Sequence, residues 1–322
     1  MMLGVLTVVF AELPLDQALE RLAALGVQAV ELGSGGYPGD AHCKADELLA
    51  APGAARRLRD AVESRGMKIS ALSCHGNPLH PDPRLAEAAH TTWVKTARLA
   101  EVLEVPVINT FSGCPGDTSL ARIPNWITCA WPLEYGEMLS WQWEERAIPY
   151  WGEQCELARA HGVKIALEMH PGFLVYNPET LLRLRAATGS ELGANFDPSH
   201  LFWQGIEPVT AIRRLGDHDA IFNVHAKDAY VDPDNVRANG NLDPKPYAQV
   251  RDRAWTFRTV GFGHGEATWR DIVSALRVAG YDGVISIEHE DILLSREEGL
   301  NRAIELLQRL VPEQPPDTPW WT

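Results

Sequence analysis

One unit recurs along this chain: a short β-rich run that ends in Gly, Pro, Asn, Asp or Ser, followed by a stretch with helical periodicity. Eight such runs are counted, at Gly4–Phe10, Gln28–Leu32, Lys68–Ser73, Val105–Thr110, Val163–Glu168, Leu192–Asp197, Ile221–His225 and Gly283–Glu288. Between them the spacing predicts helices over Leu15–Leu25, Ala54–Arg65, Arg84–Leu103, Ile148–Ala160, Pro178–Thr188, Pro208–Leu215 and Thr268–Val278, with Glu297–Leu310 after the last run. Gly26, Gly66, Gly162, Gly189, Gly216 and Gly280 stand where a helix must stop just before a strand. Eight β-then-α units with right-handed crossovers imply a closed parallel (β/α)8 barrel, each helix outside its strand. A doubly wound open sheet is the rival topology. Such a barrel takes roughly 250 residues. A chain of 322 therefore has room for insertions. The expected division is one barrel over 1–310, carrying an insertion at about 112–150 and a long loop at about 229–265, then a tail over 311–322.

Alternate residues of a strand face opposite sides, so a barrel strand shows one row to the helices and one to the axis. Val163, Ile165 and Leu167 are expected outward and Lys164, Ala166 and Glu168 inward. Likewise Leu192, Ala194 and Phe196 oppose Gly193, Asn195 and Asp197; Phe222 and Val224 oppose Asn223 and His225; Ile285 and Ile287 oppose Ser286 and Glu288. The inward rows thus end in Glu168, Asp197, His225 and Glu288, at the strand tips where barrel active sites are assembled. Three carboxylates converging without a cation would repel one another and be forced to protonate, so the set makes electrostatic sense around a divalent ion. Three oxygen donors and one imidazole suit Mn²⁺, Mg²⁺ or Co²⁺ with open positions, whereas a structural zinc site is richer in sulfur or histidine. One divalent ion, Mn²⁺ first, is the expected cofactor.

Through ALEMHPG (166–172), NFDPSH (195–200), NVHAKD (223–228), GFGHGEATW (261–269) and SIEHED (286–291) the chain resembles the xylose isomerase-like sugar phosphate isomerases and epimerases, a TIM-barrel family. That family includes ketose 3-epimerases, inosose isomerases and dehydratases, and hydroxypyruvate isomerases. The resemblance implies that Glu168, Asp197, His225 and Glu288 hold the metal, that Glu168 and Glu288 are the acid/base pair, and that His200 meets a substrate oxygen or supports a ligand. Such a site stabilises the enediolate formed when a proton leaves the carbon α to a carbonyl. Return of the proton to the opposite face is epimerisation, return to the neighbouring carbon is isomerisation, and expulsion of a β-substituent is a lyase reaction. A sugar isomerase or epimerase is the first expectation. A 3-keto-glycoside lyase or inosose dehydratase is the alternative.

His75 and His170 follow strand tips and are candidates for substrate contact, or else local hydrogen-bonding residues. Lys227 shares the inward parity of His225 and is read as a substrate-oxygen ligand or a partner of Glu288, against a structural ion pair. Arg258, in the long loop, is a candidate for a hydroxyl or phosphate, against simple surface placement. Glu31, at the tip of the second run, is expected behind the ligands. Gly261, Gly263 and Gly265 follow a loop rather than a strand and lack G-x-G-x-x-G spacing, so they are read as a flexible turn and not a dinucleotide site.

Tryptophan is over-used: 11 in all, with Trp126, Trp131, Trp141, Trp143 and Trp151 crowding the segment 123–151. A βα loop of that length is a lid, a binding surface or a satellite core, and Trp131 is its candidate for substrate contact. The insertion resembles that of the large subunits of 3-keto-glycoside-cleaving enzymes, including C-glycoside deglycosidases, which implies a small β-rich partner subunit. A homo-oligomer is the other expected assembly. In the Pro-rich tail, Trp320 and Trp321 are expected to dock on this subunit or a neighbour. The net charge of −14 opposes binding to nucleic acid or anionic membrane, and with it an apurinic-endonuclease reading. A non-catalytic partner-binding barrel is the remaining rival. The five cysteines form no CxxC pair and are read as buried free thiols, and Val5–Phe10 is too short to span a bilayer, so a cytoplasmic location is expected.

Overall fold

The computed structural model describes residues 1–314, Thr318 and Trp321. Its strands are β1 (Met2–Leu6), β2 (Ala29–Gly33), β3 (Lys68–Ser73), β4 (Val107–Thr110), β5 (Lys164–Glu168), β6 (Leu192–Phe196), β7 (Ile221–Ala226), β8 (Asp228–Val231), β9 (Trp255–Arg258) and β10 (Val284–Ile287). Eight of them close a parallel barrel in the order β1-β10-β7-β6-β5-β4-β3-β2, so the expected (β/α)8 TIM barrel is the fold and the open sheet is excluded. Closure runs from Met2 opposite Val284 to Val5 opposite Ile287. The outward rows pack under the helices as the pleat requires: Ile165, Leu167, Leu192, Ala194 and Phe196 are fully buried.

Two barrel strands, β1 and β4, have bounds that differ from the sequence reading by more than one residue, and the others agree to within one. β1 stops at Leu6, and Thr7–Phe10 forms a 3₁₀ turn, because its neighbours give it no ladder partner beyond Val5 opposite Ile287 and Leu6 opposite Glu31. β4 begins at Val107 rather than Val105, since Pro106 has no N–H to donate to the ladder.

The segment after β4 crosses the barrel mouth as irregular chain, then enters the helix Leu133–Trp141, which runs through a π-helical turn, Gln142–Ala147, into the helix Ile148–Ala160. Trp143 and Trp151 anchor it in the main core, and Trp151 Nε1 donates to the Ser112 carbonyl at 2.9 Å. The buried Gln142 amide donates to the carbonyls of Gly116 and Asn125 at 2.9 and 2.8 Å, which pins the irregular stretch to the helix. The outer part of the insertion leaves Leu120, Ile123, Trp131 and Leu133 exposed.

The long loop after β7 is not irregular throughout. β8 and β9 pair antiparallel across it, Asp228 opposite Arg258 and Val231 opposite Trp255. Four alternating residues on each side, separated by more than twenty others, are too short a pattern to read as strands from sequence. Trp255 stacks on Trp203 with ring centroids 4.5 Å apart and planes 4° from parallel, which seats this ribbon on the barrel. The glycine turn that follows is held, not loose. The Asp228 carboxylate accepts from the backbone N–H groups of Gly261, Gly263 and His264 at 3.1, 3.2 and 2.9 Å, and from Trp269 Nε1 at 3.1 Å. Gly263 is required there because a Cβ would stand 2.4 Å from the Ala229 carbonyl oxygen.

Val311 is buried, and Arg277 donates to the carbonyls of Pro312 and Gln314. Of the two terminal tryptophans expected to dock, Trp320 lies outside the described residues and Trp321 is 71% exposed. All five cysteines are free; Cys43, Cys74, Cys114 and Cys155 are buried as expected, but Cys129, on the exposed insertion, is not. No helix among the described residues is long and apolar enough to cross a membrane.

Candidate metal centre

The inward rows of β5, β6, β7 and β10 deliver Glu168, Asp197, His225 and Glu288 to one point at the C-terminal mouth. One donor atom from each lies within 4.8 Å of every other. Glu168 ends β5, and His225 stands within β7. Asp197 and Glu288 lie one residue past β6 and β10. Asp197 also caps the helix Pro198–Gln204, where its Oδ1 accepts from the Ser199 N–H at 2.8 Å. Its other oxygen, Oδ2, is buried, with the Lys227 ammonium 3.1 Å and His200 Nε2 3.4 Å away.

His225 is oriented from behind. Its Nε2 donates to Glu31 Oε1 at 2.8 Å, so its Nδ1 faces Glu288 Oε2 at 3.2 Å and Glu168 Oε2 at 3.3 Å. Glu31 is itself fully buried and held by Asn109 Nδ2 at 2.8 Å and by the Ser73 hydroxyl. A buried carboxylate behind an imidazole is the arrangement that fixes a metal-ligating tautomer. Asn195 Nδ2 adds a bond to Glu168 Oε2 at 3.0 Å, and its Oδ1 accepts from Asn223 at 3.0 Å, joining the polar interior into one network.

His75 Nε2 and His200 Nε2 bracket the Glu168 carboxylate at 3.2 and 3.0 Å. Burial works to raise the Glu168 carboxyl, but hydrogen bonds from His200, His225 and His75 hold it well below the ordinary carboxylate range. Lys227 sits on the other side, its ammonium 2.7 Å from Glu288 Oε2, 3.1 Å from Asp197 Oδ2 and 3.4 Å from Glu290. Burial opposes the charge on Lys227, yet Asp197, Glu288 and Glu290 keep it protonated well above its usual range. Glu288 is correspondingly pulled down, against its burial, by Lys227 and His225. His170 packs on His200 with ring centroids 4.1 Å apart, and burial followed by the His200 charge pushes it down to about 3, so it is neutral at neutral pH. Glu168, His170 and His200 also satisfy metal-ligand spacing, and they share Glu168 with the first set.

A cavity of about 180 Å³ opens directly on these groups, lined by Leu6, Val8, Tyr37, His75, Phe111 and His170 beside Glu168, Lys227, Glu288 and Glu290. A second, of about 400 Å³, adjoins it and shares His170 and Glu290. The sequence-level candidates Glu168, Asp197, His225, Glu288, His200, His75, His170 and Lys227 are therefore gathered at one mouth. Arg258 and Trp131 are not. Arg258 Nε is spent on Asp291 Oδ2 at 3.1 Å, and Trp131 is 72% exposed on the insertion and lines neither cavity. Tyr37, Phe111 and Glu290 were not singled out from sequence; they sit on loops whose placement depends on distant contacts, although Glu290 shares the parity of Glu288.

The chain is 38% identical over 316 residues to the uncharacterised protein YfiH of Bacillus subtilis (strain 168), spanning 97% of this chain and 100% of that one. Among solved structures it resembles a D-tagatose 3-epimerase-like protein, with a TM-score of 0.63 at 22% identity over 96% of this chain and 98% of the other. It also resembles the IolI protein with a bound zinc atom, with a TM-score of 0.65 at 18% identity over 97% and 98% of the two chains. The family model described as xylose isomerase-like TIM barrel matches residues 19–310, and the chain belongs to that family.

Proposed function

We propose that this protein is a divalent-metal-dependent isomerase or epimerase of sugars or cyclitols that moves a proton on the carbon α to a carbonyl. The observation that carries the reading is the convergence of Glu168, Asp197, Glu288 and His225, one donor atom of each within 4.8 Å of the others. Those residues fit a hard or borderline cation, Mn²⁺ first, with Mg²⁺, Co²⁺ and the zinc of the IolI structure as the alternatives to test. When bound, such an ion supplies positive charge next to the oxygens of an enediolate.

The chain's own groups perform the rest. Glu168 and Glu288 both line the inner cavity, from β5 and from just past β10, and in this reading one removes the proton and the other returns it. His75 and His200 keep Glu168 ionised and fix its plane; Lys227 does the same for Glu288. Neutral His170 offers a hydrogen bond to a substrate hydroxyl without adding charge. Leu6, Val8 and Phe111 exclude water from the reacting carbon.

A lyase acting on the same enolate is the second reading, favoured by the adjoining outer cavity, which gives a leaving group somewhere to go. Incubation of the Mn²⁺-loaded protein with a panel of ketoses and inososes in deuterated water separates them. The isomerase reading expects one deuteron on carbon with the skeleton unchanged; loss of water or of a substituent establishes the lyase, and absence of both with every substrate overturns the proposal.

A further inference from the structure

Lys227 is the single residue between β7 and β8. Ala226 before it pairs with Ile287, and Asp228 after it pairs with Arg258, so its backbone is fixed on both sides and the freedom lies in the side chain. The buried ammonium meets three carboxylates, Glu288 Oε2 at 2.7 Å, Asp197 Oδ2 at 3.1 Å and Glu290 Oε2 at 3.4 Å. The contact to Glu288 is a hydrogen bond and the shortest of the three. Two further N–H donors of the ammonium remain for Asp197 and Glu290 to share.

These carboxylates differ in what else they do. Asp197 and Glu288 belong to the four-residue set that fits a metal, and Glu290 does not. The Glu290 side chain is 51% exposed, against 0% for Asp197 and 20% for Glu288. The Phe257 ring offers the ammonium a second seat, with its centroid 4.8 Å from Nζ. That ring is held in place, because Phe257 lies on β9 and Trp255 of the same strand is stacked on Trp203.

Charge sets up a competition. Glu168, Asp197 and Glu288 are three negative charges in a buried space, and Lys227 neutralises one of them. A dication drawn to the same carboxylates brings two positive charges to oxygens that the ammonium already touches, and like charges a few Å apart repel strongly in a buried site. Glu290 with the Phe257 ring is the pair of groups next to Lys227 that a metal does not claim.

We propose that Lys227 is a built-in counter-ion that competes with the divalent cation: when the metal binds, the ammonium pivots on Glu288, gives up Asp197 Oδ2 and settles between Glu290 and the Phe257 ring. Glu290 and Phe257 thereby set the metal affinity from outside the four-residue set. This rests on that set being a metal site.

Competition with a chelating dye measures Mn²⁺ affinity in the unaltered protein, Lys227→Gln, Glu290→Gln and the double variant. Lys227→Gln keeps a donor for Glu288 without the charge, and it is expected to bind Mn²⁺ at least about tenfold more tightly. Glu290→Gln leaves the ammonium with the ligand carboxylates alone and is expected to weaken binding at least about threefold, an effect that falls below about 1.5-fold in the Lys227→Gln background. A plain loss of negative charge near the ion would act alike in both backgrounds. Equal or weaker binding by Lys227→Gln, unchanged or tighter binding by Glu290→Gln, or an undiminished Glu290→Gln effect in the double variant each overturns the counter-ion. Urea unfolding of the metal-free proteins checks the fold, and Lys227→Met serves as the uncharged background if Lys227→Gln does not fold. Mn²⁺ bound by Lys227→Gln and not by the unaltered protein leaves the counter-ion standing and removes the metal reading. Mn²⁺ bound alike by both does the reverse, and binding by neither removes both.

Discussion

Glu31→Gln probes the support behind the proposed metal centre without replacing one of its four proposed ligands. The side chain keeps its volume, but one acceptor oxygen becomes an NH₂ donor inside a fully buried network. Glu31 Oε1 accepts from His225 Nε2 and Asn109 Nδ2, each at 2.8 Å, and from Ser73; Oε2 faces Asn223 Nδ2 at 3.4 Å. If the amide oxygen keeps the three donors, the new NH₂ opposes the Asn223 NH₂, and that buried mismatch costs about 1–3 kcal/mol. The larger effect is on His225. Its burial is offset by the charges of Glu31 and Glu288, so neutralising Glu31 weakens both the orientation and the basicity of the imidazole. Loss of such a carboxylate partner lowers metal affinity about 10–100-fold. Competition between the protein and a chelating dye for Mn²⁺ measures this, with urea unfolding of the metal-free protein as the companion reading. A metal affinity within twofold of the unaltered protein refutes the role given to Glu31.

Two further outcomes follow from the same geometry. Asp228→Ala leaves the backbone N–H groups of Ala229, Gly261, Gly263 and His264, the His264 ring and the Trp269 indole N–H without their acceptor, so it is expected to destabilise the fold by more than about 3 kcal/mol in urea unfolding; a loss under about 1 kcal/mol contradicts the view that this carboxylate pins the glycine turn. His170 titrates near 6.5 when unfolded and near 3 when folded, so below pH 6.5 the unfolded chain binds the extra proton and stability falls with falling pH. In metal-free protein the stability advantage of the unaltered chain over His170→Asn should therefore shrink by about 2 kcal/mol between pH 6.5 and 5, whereas a constant difference contradicts a buried neutral imidazole.

The barrel and the convergence of Glu168, Asp197, His225 and Glu288 were legible because the pleat converts a period of two into inside and outside, and four inward rows ending in these residue types leave little freedom. Boundaries set by partners were not legible. The apolar run Val8–Phe10 reads as strand, and only the absence of a ladder neighbour turns it into a 3₁₀ turn. The same limit hid β8 and β9, which exist because Trp255 finds Trp203 across the fold. Phe257 lines the outer cavity through that ribbon, and Tyr247 through the loop that leads into it, a tertiary event with no periodic signature. Trp131 drew attention by composition alone, yet the insertion buries Trp143 and Trp151 instead, the two whose positions face the core. Arg258 looked free to bind an anion because nothing in its neighbourhood announces Asp291, 33 residues later.

The most direct test of the proposed chemistry is solvent deuteron incorporation by Glu288→Gln set against the unaltered protein, both saturated with Mn²⁺ and given the best ketose of the panel. With the fold intact by circular dichroism, the variant is expected to lose at least about a hundredfold in exchange rate, in keeping with the usual weight of a positioned acid/base group. Exchange at the unaltered rate in Glu288→Gln would contradict the assignment of the proton transfer to this centre.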